Sequence, residues 1–110
     1  MAIQVNEKRI QTNKEGFLLN REDWTPEVSC HLAAVHGIEL SDAHTEIISL
    51  LHNYCDAGNE PPSMRELTSE IRAKLSSEKA KGIYLMKLFG SSPAKMAARI
   101  AGLPRPKNCL

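Results

Sequence analysis

The sequence contains few aromatic residues and no long apolar run. Phe, Trp and Tyr make up 5% of the 110 residues, whereas apolar residues together make up 42%. A core of this composition packs through Leu, Ile, Val and Met, which favours helices over a β-sandwich. No stretch reaches membrane-spanning length, and residues 1–8 lack the apolar run of a signal peptide. We therefore expect one compact, mainly α domain, located in the cytoplasm and without a membrane partner, whose three cysteines stay reduced.

The sequence motifs of common cofactor and metal sites are also missing. The six glycines are scattered, so no Gly-rich phosphate loop is present, and no Gly-x-Ser-x-Gly motif occurs. Four histidines and three cysteines show neither Cys-x-x-Cys nor His-Glu-x-x-His spacing. The sequence therefore predicts no cofactor and no metal site.

Acidic residues are absent from one end of the chain. Residues 1–55 hold four Lys or Arg and eight Asp or Glu, whereas residues 56–110 hold ten and five. From Lys79 onwards there are seven basic residues and no acidic one. Such an end favours either an anionic partner or an ordinary solvated helix surface, and the sequence leaves both open.

The apolar periodicity predicts a small helical bundle of about five helices with an N-terminal β-hairpin. The hairpin covers about residues 2–19, with its turn at residues 13–16. Helices follow over about residues 25–101, beginning near Thr25, Ser41, Ser63, Glu78 and Ser92. Residues 1–102 are thus expected to form a single domain, and residues 103–110 a flexible C-terminal arm.

A thiol lies near the end of this arm. Pro104 and Pro106 favour an extended path of ~3.1 Å per residue, so residues 103–109 would reach roughly 20 Å from the body. Arg105 and Lys107 favour the nucleophilic thiolate of Cys109, whereas the carboxylate of Leu110 opposes it. An accessible thiol on a semi-rigid tether suits the transfer of a group between proteins.

The other candidate residues have weaker patterns. Cys55 lies on an apolar helix stripe and is expected to be an inert core residue, and Cys30 is expected to be partly exposed at a secondary helix contact. Arg65, at a predicted helix start, either holds an anion such as a persulfide or pairs with a neighbouring glutamate. Arg99 is a further candidate for cationic support of the arm.

The chain resembles the DsrC/TusE family of sulfur-trafficking proteins. The similarity lies in the sequence from Ile100 to Leu110 with its penultimate cysteine, in Tyr84-Leu85 and Leu88-Phe89, in Pro93-Ala94-Lys95, and in the turn from Lys14 to Leu18. It implies a DsrC-like helical body with a hairpin and an arm that carries the working thiol at Cys109.

One position separates the two branches of that family. DsrC proper carries a second arm cysteine about one helix length upstream, where this chain has Ala98. The chain is therefore more similar to the TusE branch. That branch implies a sulfur carrier that accepts a persulfide from an upstream sulfur-relay (TusBCD-like) complex. The carrier passes the sulfur to the tRNA 2-thiouridylase with its tRNA, for wobble 2-thiouridine synthesis.

Two other functions stay open. One is a DsrC-like role in dissimilatory sulfur metabolism with sulfite reductase as partner, which Thr45 and Cys55 keep open because they depart from the TusE pattern. The other is a DNA-binding paralogue, in which residues 63–75 and 78–89 form a helix-turn-helix whose Lys79, Lys81 and Lys87 contact phosphates.

Overall fold

The computed structural model describes residues 1–107. The chain begins with an antiparallel hairpin of β1 (Ala2–Val5) and β2 (Lys8–Gln11). Asn6 and Glu7 connect the strands with φ of 50° and 67°, the left-handed values of a two-residue hairpin turn. The predicted hairpin is confirmed, but its turn lies between these strands and not at residues 13–16.

Residues 13–16 form a second turn that returns the chain to β2. Thr12 and Leu18 form an isolated antiparallel bridge across it. The side chain of Asn13 accepts hydrogen bonds from the backbone of Glu15 and Phe17, at 2.9 and 3.0 Å. These two hydrogen bonds, which are typical of an Asx turn, fix the turn and leave the Glu15 side chain exposed at its tip.

Five helices follow, as the periodicity predicts. They are α1 (Pro26–Val35), α2 (Asp42–Asp56), α3 (Met64–Lys74), α4 (Gly82–Phe89) and α5 (Pro93–Ile100). The predicted start of α4 at Glu78 is wrong. Residues 77–80 form turns, because the Ser76 hydroxyl accepts from the Lys79 backbone and the Ala80 and Lys81 amides donate to the Ser77 and Glu78 carbonyls, three residues back. The Lys79 ammonium also pairs with the Glu46 carboxylate on α2 at 2.6 Å.

Helix α5 lies at the centre of the bundle and contacts α1, α2, α3 and α4. Small side chains make this position possible, since Ala97, Ala98 and Ala101 are fully buried and allow the other helices to approach closely. A second cluster of Ile10, Leu18, Val28 and Leu32 joins the hairpin to α1. The C-terminal segment therefore leaves from the middle of the core.

Within residues 1–107, no helix is long and apolar enough to cross a bilayer.

Candidate functional site

Helix α5 ends in a fixed turn that starts the C-terminal segment. The Gly102 amide donates to the Arg99 carbonyl at 3.1 Å, and the Leu103 amide donates to the Ala98 carbonyl at 3.0 Å. This is a Schellman motif, with Gly102 at φ +74° in the left-handed region. Leu103 is 1% exposed. We call residues 98–103 the arm root and residues 104–107 the distal segment.

Two aromatic side chains bind the carbonyls of the arm root. The Trp24 Nε1–H donates to the Ile100 carbonyl at 2.8 Å, and the His52 Nε2 lies 2.8 Å from the Ala101 carbonyl. A carbonyl only accepts, so the His52 proton lies on Nε2. The two rings meet edge to face at 4.5 Å. A Cβ on Gly102 would lie 2.5 Å from Trp24 Cδ1, so this close approach requires glycine.

The distal segment lies along the body through ion pairs and through Pro106, which is buried. The Glu15 carboxylate accepts from Lys95 at 3.2 Å and pairs with Arg105 at 3.6 Å. The Lys95 hydrogen bond, with Arg105 as a further positive charge, holds the pKa of Glu15 below its usual value, although burial opposes this shift. Lys107 pairs with Glu60 at 3.0 Å. The part of the predicted arm that the structure describes therefore contacts the body.

Arg99 is buried beneath the Glu15 turn. Its guanidinium lies 4.8 Å from the Phe17 ring centroid, and its Nη1 lies 3.6 Å from the Met96 sulfur. A Cβ on Gly16 would lie 3.6 Å from Arg99 Cδ, so the turn packs directly on this side chain. Contact with the aromatic face stabilises a desolvated cation. Arg99 thus supplies positive charge within the arm root.

Arg65 lies apart from these cations. It is exposed in the first turn of α3 and lines a surface cavity with Tyr54, Glu66 and Glu70. Among residues 1–107, the structure brings Arg99 and Arg105 together around Glu15 and places Lys107 at Glu60, but it records no contact between Arg65 and the other three.

The predicted nucleophile Cys109 lies outside the described residues. The other two cysteines carry free thiols on the helical body. Cys30 is exposed on α1, and Cys55 is half-buried on α2. Burial raises the pKa of the Cys55 thiol and the Asp56 carboxylate adds to this, against the opposing charge of Arg21. Cys55 is therefore a poor source of thiolate.

The helix-turn-helix geometry is not formed. Helices α3 and α4 are separated by residues 75–81, whereas that motif needs a turn of about three or four residues. Lys79 and Lys81 pair with Glu46 and Glu78. These ion pairs compete with the phosphate contacts that a DNA-binding function requires.

Within the described range, residues 1–107, no group of three or more His, Cys, Asp or Glu is arranged to hold a metal ion.

Sequence reasoning missed four residues of the site. Trp24 and His52 fix the arm root, and Glu15 and Glu60 hold the distal segment. The one available signal was the single tryptophan placed before the first helix cap, because a buried indole N–H needs an acceptor.

The fold and site define a class of small helical bundle in which a basic C-terminal segment leaves from a fixed root at the centre of the core. The family model described as "DsrC like protein" matches residues 4–110. The chain belongs to the DsrC-like family.

Curated relatives and a solved structure cover nearly the whole chain. The "Sulfurtransferase TusE homolog" of Haemophilus influenzae is 35% identical over 108 residues, 98% of this chain and 99% of the relative. The "Sulfurtransferase TusE" of Salmonella typhimurium is 37% identical over 103 residues, 94% of each chain. The NMR structure of Allochromatium vinosum DsrC superposes with a TM-score of 0.89 at 39% identity, covering 100% of both chains.

Proposed function

We propose that the chain is a sulfur carrier that holds sulfur as a persulfide on Cys109 and delivers it for wobble 2-thiouridine synthesis in tRNA. The observation that carries this proposal is the similarity to TusE sulfurtransferases over at least 94% of the chain, combined with Ala98 where a second arm cysteine would lie. The donor is an upstream sulfur-relay complex, and the acceptor is the tRNA 2-thiouridylase.

The transfer needs no cofactor. The Cys109 thiolate attacks the outer sulfur of a donor persulfide, the sulfur–sulfur bond breaks, and the donor cysteine leaves as thiolate. Cys109 then carries the persulfide, and an acceptor thiolate takes its outer sulfur by the same reaction. Each step is an exchange between thiolates, so no oxidant or reductant is consumed.

The cations around the segment support this chemistry. Arg105 and Lys107 lie four and two residues from Cys109 along the chain, and Arg99 lies in the arm root. Positive charge favours the thiolate and the persulfide anion over their protonated forms. Arg65 would act at a distance from this group, as an anion-binding residue on α3 that meets an incoming partner.

The test is sulfur loading of the reduced full chain from a cysteine desulfurase or another protein persulfide donor, followed by intact-mass analysis and peptide mapping. We expect a gain of one sulfur atom on Cys109. Cys109→Ser should abolish the gain, whereas the matched variant Cys30→Ser should load normally. Loading of Cys30 or Cys55 with no sulfur on Cys109 would contradict the proposal.

A second candidate is a DsrC-like role with sulfite reductase, which the 39% identity to Allochromatium vinosum DsrC favours. Pull-down assays separate the two functions. A carrier of the proposed kind should retain the thiouridylase, whereas retention of the reductase alone would favour the second function.

A further inference from the structure

Two consecutive peptide units at the end of α5 are each bound at both the amide and the carbonyl. The first unit joins Ile100 to Ala101. Its amide, on Ala101, donates to the Ala97 carbonyl at 2.9 Å, and its carbonyl, on Ile100, accepts from the Trp24 indole at 2.8 Å. Rotation of this peptide unit would leave both groups without their partners, so its orientation is fixed.

The second unit joins Ala101 to Gly102 and is bound in the same way. Its amide, on Gly102, donates to the Arg99 carbonyl at 3.1 Å, and its carbonyl lies 2.8 Å from the His52 Nε2. The Schellman motif ends the helix through its two amide bonds alone. The hydrogen bonds from Trp24 and His52 are additional to that stop, and they fix the direction in which the chain leaves the helix.

The two rings that supply these bonds come from separate parts of the body. Trp24 precedes α1, whereas His52 lies in α2. Their centroids lie 4.5 Å apart with the rings edge to face, and the indole packs so closely on Gly102 that a Cβ there would lie 2.5 Å from Trp24 Cδ1. The end of α5 is therefore oriented relative to two separate elements and not to one.

The residues after the arm root are stiff enough to keep this direction. Leu103 is 1% exposed. Pro104 and Pro106 fix their own φ near about −65° and restrict the residues before them, Leu103 and Arg105. A proline-rich segment of this kind acts as a semi-rigid spacer. The orientation of the arm root therefore determines where the following residues point once they leave the body.

The ion pairs of the distal segment do not have this role. Arg105 and Lys107 pair with the Glu15 and Glu60 carboxylates through exposed side chains. Such pairs are weak and are screened by salt. A segment that leaves the body to reach a partner must break them, and the arm root is then the last point of attachment.

We propose that Trp24 and His52 are positioning residues for sulfur transfer, which direct the arm so that Cys109 meets the sulfur of a partner protein. The inference rests on the proposed carrier function. Reacting atoms must approach to about 3–3.5 Å in line, and a misplacement of about 1 Å can cost about 10²-fold in rate. Residues 103–109 span roughly 20 Å when extended, so a change of about 15° at the arm root displaces the thiol by about 5 Å.

The first test is single-turnover transfer from the chain loaded with sulfur on Cys109 to a saturating amount of the acceptor thiouridylase. His52→Phe keeps a ring next to Trp24 but removes the donor, and we expect transfer within the complex to slow about tenfold or more. His52→Gln offers an amide N–H to the same carbonyl and should restore most of the rate. Trp24→Phe, which removes the neighbouring donor, should also slow transfer.

Two controls separate positioning from stability and from thiol reactivity. Ile71→Val changes a side chain on α3 that is 0% exposed, so it destabilises the fold without removing either hydrogen bond to the arm root, and it should transfer at the wild-type rate. Alkylation of Cys109 by iodoacetamide should proceed at the same rate in every variant, because a small reagent needs no particular direction of the arm.

A second test measures the direction of the arm without sulfur chemistry. Spin labels on Cys109 and on Cys30, which is exposed on α1, report one distance by pulsed EPR in a chain carrying Cys55→Ser. At about 1 M salt the screening length is about 3 Å, so the ion pairs of the distal segment contribute little. His52→Phe should then broaden the distance distribution by about 5 Å, whereas Ile71→Val should leave it unchanged.

Three results would overturn the inference. They are equal transfer rates in His52→Phe and Ile71→Val, an unchanged distance distribution in His52→Phe, and slower alkylation of Cys109 in that variant, which would assign the effect to thiol reactivity. Failure of the wild-type chain to load sulfur is a separate result. It would remove the proposed function, and the EPR comparison would still decide whether the two rings direct the arm.

Discussion

The arm root and the distal segment are adjacent in sequence but are held by different forces. The arm root is buried and fixed by hydrogen bonds from the Trp24 and His52 rings to its backbone carbonyls. The distal segment is attached by ion pairs between exposed side chains, at Glu15 and Glu60, and by burial of one residue, Pro106. Exposed ion pairs contribute about 0–1 kcal/mol each and weaken with salt, whereas a buried leucine contributes several times more. The difference places the expected pivot of the arm near Leu103.

Truncation of Leu103 should have the largest effect on stability. Leu103→Ala removes a side chain that is 1% exposed, so we expect the free energy of unfolding to fall by about 2–5 kcal/mol. Urea denaturation measures this quantity. The matched control is Leu19→Ala, because Leu19 is 64% exposed and its truncation should cost less than about 0.5 kcal/mol. Equal losses in the two variants would mean that the arm root is not part of the core.

Substitution of Gly102 tests the close approach to Trp24. Gly102→Ala forces alanine into φ +74°, which alone costs about 1–2 kcal/mol, and also places its Cβ against the indole. Gly37→Ala is the matched control, since Gly37 has φ +72° and a Cβ there would meet nothing within 4 Å. We expect thermal or urea unfolding to show the larger loss for Gly102→Ala. The difference between the variants measures the overlap with Trp24, and a difference of zero would contradict the packing.

Loss of the indole donor should have a smaller effect. Trp24→Phe keeps an aromatic ring but removes the hydrogen bond to the Ile100 carbonyl, so we expect about 1 kcal/mol of destabilisation. Hydrogen exchange should accelerate at the Gly102 and Leu103 amides, because the turn that they close loses a support. His52→Ala provides a parallel variant on the neighbouring carbonyl. Unchanged exchange in both variants would show that the side chains pack on the arm root without fixing it.

The end of α5 could be predicted from sequence, but the contacts that hold the arm root could not. Glycine after a helical stripe is a local signal for a helix stop, and Gly102 follows α5 with φ +74°. Leu103, which the sequence assigned to the flexible arm, is 1% exposed. Trp24 lies 76 residues before Ile100, whose carbonyl accepts its hydrogen bond. His52 lies 49 residues before Ala101, whose carbonyl it contacts. Such contacts depend on how the helices pack, and helical periodicity carries no information about them.

The distribution of charges along the sequence also predicted only part of what the structure shows. The basic C-terminal half suggested an anionic partner or a solvated helix surface, and three of its cations, Lys87, Lys95 and Arg99, line one surface cleft between α4 and α5. It did not predict that Glu15 and Glu60, both outside that run of cations, would attach the distal segment to the body. Which carboxylates lie next to these cations depends on how the chain folds, so the order of charges in the sequence does not show it.

Removal of the Glu15 charge should have the smallest effect on stability. It should nevertheless change the distal segment without changing the arm root. Glu15→Gln keeps the shape of the side chain, and we expect no measurable change in urea denaturation, because an ion pair between exposed side chains adds little to stability. The NMR signal of the Arg105 guanidinium should move towards its position in high salt, because screening and neutralisation break the same pair. The matched control is Glu22→Gln in the exposed turn before α1, which should leave the Arg105 signal in place.

Acid should reproduce this change in the wild-type chain, and the sign follows from the pKa of Glu15. That pKa lies below the usual 4.5 because Lys95 donates a hydrogen bond to the carboxylate and Arg105 adds positive charge. A depressed pKa in the folded state means that the ion pair is fully present above pH 4.5 and is lost as the pH falls through the lower folded value. The Arg105 signal should therefore titrate below pH 4.5 while the amides of Gly102 and Leu103 keep their shifts. Concerted titration of all three signals would show that the arm root and the distal segment open together, and the pivot near Leu103 would then be wrong.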